Sequence, residues 1–300
     1  MKRAVVLAGL IGWGAAGAEP LTVPFDFSKS AIGLSVTVKG RPLYMILDTG
    51  VDPSVIDLKE AEALGLNIDR GAGGEASGEG DAKNSAAYPA TLSGLAIGGR
   101  GFADIEALGF DMSALTARYG RKLDGVLGYS FLTGRVVLVD YPAARLTILE
   151  RPGEAADQVK SCRRRHTIPL TFFPEENIPA VPDFRFGGAS GTISLDTGSS
   201  GGISLYQAAL ALAGLKDKLT ETGEIAFTGG RGDGKAKSYR LDSPVGFGPF
   251  TLPAGQTVSL RGTTPDGRAA NVGNKFFAAM KLKILLDYQS KRITFYGDCG

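Results

Sequence analysis

Residues 47–56 read LDTGVDPSVI, and residues 195–204 read LDTGSSGGIS. The shared Leu-Asp-Thr-Gly recurs at an offset of 148 positions, each time closing an apolar run. With residue frequencies of roughly 5 to 7%, Asp-Thr-Gly should occur about 0.06 times by chance in such a chain. Two further markers keep nearly the same register. DGVLGYSFL, from Asp124, is matched by ANVGNKFF, from Ala270, and VDYPAARLTI, from Val139, by LDYQSKRITF, from Leu286. Three markers in one order imply a duplicated unit of about 130 residues.

Between the markers lie short apolar stretches punctuated by glycine and proline, 43 and 15 respectively, which predicts a mainly β protein. Helical periodicity is confined to residues 58–66 and 205–215, each soon after an LDTG and each closed by a glycine. The expected organisation is a leader over 1–18, a first lobe over 19–150, a polar linker over 151–166 and a second lobe over 167–300. Residues 163–166, Arg-Arg-Arg-His, read as a solvated turn, since no aromatics interleave the arginines as in a nucleic-acid contact. The RGD at residues 231–233 lies in TGGRGDGK, where turn chemistry accounts for it.

The N-terminus places Lys2 and Arg3 before an apolar run that ends in Ala16-Gly17-Ala18, the arrangement of a cleaved export signal. A retained anchor is the other reading, but Gly9, Gly12 and Gly14 interrupt the run, which falls short of the roughly 20 apolar residues a span needs. The expected location is therefore periplasmic or secreted, with no membrane partner after cleavage. Without Lys2 and Arg3, the 33 basic and 31 acidic residues balance to zero, so nothing in the charge suggests nucleic acid. An exported chain permits a disulfide between its two cysteines, Cys162 and Cys299, although two free thiols are also compatible with the composition.

On these residues the chain resembles the bilobal, pepsin-like aspartic proteases, and especially the retropepsin-like aspartyl proteases of bacteria. The resemblance covers nearly all of the chain after the leader. It implies an all-β bilobal acid-protease fold with a short helix in each lobe and a cleft between them. It also implies a catalytic pair, Asp48 and Asp196, supported by Thr49, Gly50, Thr197, Gly198 and Ser199. In the family the threonines interlock across the lobe junction, and the glycines let backbone amides approach the carboxylates. VLG at residues 126–128 is the family's apolar-apolar-Gly segment beneath the first loop; in lobe two NVG, at 271–273, departs from it. Gly-rich stretches at 71–80 and 228–235 are candidate flaps, with Gly73, Gly74, Tyr88, Gly229 and Gly230 as candidate substrate contacts; exposed loops are the alternative.

Two carboxylates about 3 Å apart cannot both ionise, and aspartic proteases are themselves the standard example of such a pair. One member then acts as base on a water while its partner acts as acid. Both aspartates belong to one chain, so a monomer suffices. The implied substrate is a peptide or protein, and no cofactor or metal is implied: one histidine and two distant cysteines do not make a zinc set. The G-x-S-x-G match at 198–202 lacks the later histidine of a serine hydrolase, since His166 precedes Ser200. A second reading is a catalytically weak peptide-binding module on the same fold, to which Val51 and Asp52 beside Asp48 lend weight. Because Ser199 adds a hydroxyl where lobe one has Val51, the expected pair is asymmetric, with Asp196 the better hydrogen-bonded and more often ionised member.

Overall fold

The computed structural model describes residues 19–75, 86–174, 176–229, 231–264 and 266–300. The expected leader, Gly230 and much of the first Gly-rich stretch lie outside these residues.

The fold is the all-β bilobal aspartic protease-like fold. Each lobe is built on a curled sheet of ten strands. In lobe one the strand Arg41–Leu47 ends at the first LDTG loop; in lobe two Ala189–Leu195 ends at the second. Beside each runs a short parallel strand, Gly125–Leu127 with Leu127 opposite Leu47, and Ala270–Val272 with Val272 opposite Leu195. The same short strand pairs antiparallel with the strand after the loop, Ser54–Asp57 in lobe one and Ile203–Leu205 in lobe two. Each LDTG is therefore a turn between two strands with a third strand beneath it, and both sheets lay out their strands in one order.

A six-stranded sheet joins the lobes, in the order Leu21–Pro24, Arg145–Leu149, Val136–Asp140, Lys283–Asp287, Arg292–Cys299 and Cys162–Pro169. Its central pair, Val136–Asp140 against Lys283–Asp287, takes one strand from each half. Val137, Val139, Leu286 and Ile293 are wholly buried there. Beside this sheet Phe184, Phe247, Phe276 and Phe295 pack ring to ring, with Phe247 and Phe295 centred 4.5 Å apart. Such offset and edge-on arrangements add to the burial of the rings themselves.

The first expected helix forms over Leu58–Ala63, where the Asp57 carboxylate accepts from the amides of Lys59 and Glu60. Gly65, at φ +57°, takes the left-handed turn that ends it. The second forms no α-helix. Leu205 is drawn into a strand opposite Ala270 and Leu260, and only a 3-10 turn, Gln207–Ala211, follows. Its N-cap position holds Tyr206, which makes no capping bond, so apolar periodicity alone does not sustain a helix there.

Residues 163–166 are also not a turn. They belong to the edge strand Cys162–Pro169, with Arg163, Arg164 and Arg165 exposed and Arg164 paired to Asp298. Charged side chains on such an edge discourage a further strand from adding to it. Cys162 stands opposite Cys299 in this register, and the two are joined by a disulfide. His166 lies against Phe247, in a different sheet from the loop that carries Ser200.

Candidate active site

The two LDTG loops meet tip to tip. Thr49 donates its amide to the Thr197 hydroxyl and Thr197 its amide to the Thr49 hydroxyl, both at 3.0 Å. Each hydroxyl then donates across the junction, Thr49 to the Leu195 carbonyl at 2.7 Å and Thr197 to the Leu47 carbonyl at 3.0 Å. Both threonines are buried, so these four bonds satisfy groups that water does not reach. They bring the two loops tip to tip, so that Gly198 lies against the Asp48 carboxyl and Gly50 against that of Asp196.

Each loop is also anchored from below. Asp48 donates its amide to the Leu127 carbonyl and Asp196 to the Val272 carbonyl, both at 3.0 Å. Tyr129 and Asn274, one residue past Gly128 and Gly273, donate their amides to the Val51 and Ser199 carbonyls. A Cβ on Gly128 would lie 2.5 Å from the Val51 oxygen, and one on Gly273 would lie 2.7 Å from the Ser199 oxygen. Only glycine lets the lower strand pass so close beneath the loop.

The glycines of the LDTG loops make room for the opposite lobe. A Cβ on Gly198 would fall 1.9 Å from Asp48 Oδ2, and one on Gly50 would fall 3.0 Å from Asp196 Cγ. Their amides serve the carboxylates of their own loops: Gly50 donates to Asp48 Oδ1 at 2.6 Å and Gly198 to Asp196 Oδ1 at 2.9 Å.

The surroundings of the two carboxylates differ. Asp196 Oδ1 accepts a second amide, that of Ser199, at 2.8 Å, and its Oδ2 accepts the Asn271 side-chain amide at 2.6 Å. The Ser199 hydroxyl expected on Asp196 instead accepts from the Gly201 amide at 3.3 Å; the residue serves Asp196 through its backbone. Asp48 is buried, and burial first, the neighbouring Asp196 second, push its carboxyl well above the ordinary value of 3.8.

Several residues that sequence reasoning passed over lie close by. Tyr141, from the lobe-one hairpin, donates its hydroxyl to Asn274 Oδ1 at 2.6 Å, and Asn274 donates its amide to the Thr197 carbonyl at 2.6 Å. Burial keeps the Tyr141 hydroxyl protonated, well above its ordinary range. The signal for Asn271 was its place in NVG where lobe one has VLG; Tyr141 and Asn274 carried none. The Asp52 carboxylate accepts the Asn177 side-chain amide at 2.7 Å.

The candidate flap residues fall in two places. Gly73 packs on the Tyr88 ring, over which Arg70 also lies, and Gly74 pairs with Ala87. Residues 228–229 and 232–235 are strand: Leu219–Gly229 and Gly232–Leu241 form a long hairpin in which Gly229 faces Gly232. This hairpin leans on the lobe-one helix Ser113–Tyr119, where Arg118 donates to the Ala226 carbonyl at 3.1 Å.

No curated protein sequence matches this chain. Residues 34–131, which hold the first LDTG and the strand beneath it, match the family described as aspartyl protease. That match covers about a third of the chain, and with the bilobal all-β fold around it supports an aspartic protease family assignment.

Proposed function

We propose that this protein is an aspartic-type endopeptidase, exported by its first 18 residues and active as a monomer, that hydrolyses peptide bonds in the cleft between its lobes. The observation that carries the reading is the reciprocal bonding of Thr49 and Thr197, which sets each aspartate against the glycine of the opposite loop. A proton held between two carboxylates supplies acid and base at one point. The ionised member takes a proton from a water as the water's oxygen bonds to the peptide carbonyl carbon. The protonated member gives its proton to the carbonyl oxygen, and the tetrahedral centre then collapses as the C–N bond breaks and the amine leaves with a proton. Burial of the pair strengthens each of these electrostatic effects.

A peptide lying extended between the lobes would use its backbone as an added strand does, under the Leu219–Leu241 hairpin of lobe two. The weak-binder reading rests on Val51 and Asp52 beside Asp48; of these, the Asp52 carboxylate accepts a hydrogen bond from Asn177. A peptide library incubated with mature protein from pH 3 to 8 tests the proposal. Cleavage that disappears in both Asp48→Asn and Asp196→Asn is expected; no cleavage at any pH, or cleavage that survives both substitutions, would overturn it.

A further inference from the structure

The second lobe carries a polar row where the first has an apolar one. Across lobe one's sheet, Ile46, Val126, Val55, Leu108 and Pro89 stand opposite one another on successive strands. The matching row in lobe two reads Ser194, Asn271, Ser204, Ser259 and Ser238. Its members bond to one another: Ser194 Oγ donates to Asn271 Oδ1 at 2.5 Å, and the Ser204 and Ser259 hydroxyls are 3.0 Å apart. Ser194 is wholly buried. Polar groups are costly in such a place unless they are used.

The row ends on the aspartate pair. The Ser194 hydroxyl occupies the amide oxygen of Asn271, so its NH2 group faces Asp196 Oδ2, at 2.6 Å. An NH2 group only donates. Each N–H that a carboxylate accepts favours its ionised form, and Asp196 accepts three, from Asn271 on Oδ2 and from the Gly198 and Ser199 amides on Oδ1. Asp48 has no such side-chain donor among the described residues: Val126 stands where Asn271 stands in lobe two, and the amides that act on it are those of Gly50 and, across the junction, Gly198.

We propose that Asn271, oriented by Ser194, is the positioning residue that decides which carboxylate of the pair holds the shared proton, leaving Asp196 as the base and Asp48 as the acid. The other titratable groups that act on Asp196 are Asp48 from the opposite loop, Tyr141 from the lobe-one hairpin and Tyr206 after the strand Ile203–Leu205; Arg268, Asp266 and Glu176 surround Tyr206 in turn. The two tyrosines are held in their neutral form by burial, so they add no charge, and the asymmetry between the aspartates follows from the deeper burial of Asp48 together with the added donors on Asp196. The inference rests on the proposed endopeptidase reading only for its kinetic test.

Two measurements decide it. In protein labelled with carbon-13 at the aspartate carboxyls, with resonances assigned from Asp48→Asn and Asp196→Asn, Asp48 is expected to be the member of the pair that keeps its proton to higher pH. In Asn271→Val, which installs the lobe-one residue, the first ionisation of the pair moves up by about one pH unit, and the acid limb of kcat/KM on a cleaved peptide moves with it, a loss of about tenfold below that limb. Ser194→Ala is expected to shift both in the same direction by less, and Ser194→Thr, which keeps the hydroxyl, to restore them. Asp48 ionising first in the wild type, or folded Asn271→Val and Ser194→Ala proteins with unmoved titrations, would overturn the assignment. Should Asn271→Val not fold, the wild-type order and Ser194→Ala decide. Should the wild type cleave no peptide, the titrations decide alone and only the endopeptidase reading fails.

Discussion

Thr49 and Thr197 exchange hydrogen bonds across the lobe junction, amide to hydroxyl in both directions at 3.0 Å, although 148 residues separate them. Replacing Thr197 by Val keeps the shape but leaves the Thr49 amide and the Leu47 carbonyl without their partner. Each buried group so orphaned costs about 1–3 kcal/mol. Thr197→Val is expected to lower the denaturation midpoint in urea and to lower kcat more than it raises KM, whereas Thr197→Ser retains both. Wild-type stability in the valine variant would show that the exchange does not brace the loops.

Gly198 gives a sharper steric test. A methyl group there would sit 1.9 Å from Asp48 Oδ2, against a carboxylate held by its own loop. Gly198→Ala is expected to separate the aspartates and lower peptide hydrolysis by at least about a hundredfold, since a displacement of about 1 Å costs that much. Steady-state kinetics with a circular dichroism control for folding checks it.

The raised value of Asp48 makes stability depend on pH in a definite direction. Between the ordinary value of 3.8 and the higher value of folded Asp48, the native chain binds more protons at this site than the unfolded chain. The contribution is fully present below 3.8 and is lost as pH rises through that window. Asp48→Asn cannot titrate there, so its stability relative to wild type should improve as pH rises from 3.8. Parallel urea-denaturation profiles for the two proteins across this range would count against the assignment.

The disulfide closes a loop of 137 residues, from the edge strand of the six-stranded sheet to the end of the chain. On a chain-entropy basis a loop of this size restrains the unfolded state by about 4–5 kcal/mol. The Cys162→Ser, Cys299→Ser protein is expected to unfold at markedly lower denaturant, and wild type in reducing buffer to approach it. Lobe one, which neither cysteine belongs to, should show the smaller change in amide exchange.

Arg118 reaches from a lobe-one helix to the lobe-two hairpin, donating to the Ala226 carbonyl. Removing it in Arg118→Ala should speed amide exchange over Leu219–Gly229 and raise KM severalfold with kcat nearly kept, because the hairpin closes less readily over peptide. Unchanged exchange over this strand would show that the contact does not hold the hairpin.

Where sequence and structure part, the cause is packing at long range. Residues 58–66 carried both a helical pattern and a capping aspartate, and the helix forms; residues 205–215 had the pattern without the cap, and the neighbouring strands took Leu205. The arginines at 163–165 look like a turn in isolation and become strand because the C-terminal strand offers them a pairing edge. Ser199 was read as a hydroxyl donor from its adjacency to the tripeptide, yet the side chain that reaches Asp196 comes from Asn271, 75 positions away.

The sequence by itself determined the pair of LDTG loops, the all-β character and the order of the markers around them, because these depend on residue type, local periodicity and a repeated spacing. Only the tertiary structure decided which donors meet each carboxylate, that one sheet takes strands from both halves, and that a hairpin of lobe two rests on a helix of lobe one. The physical reason is strand register. A side chain's partners across a sheet are set by how distant strands slide against each other, and a shift of one residue turns every side chain to the other face. Ser194, Asn271 and Asp196 are neighbours because Val272 stands opposite Leu195, a relation that emerges only when the whole lobe packs.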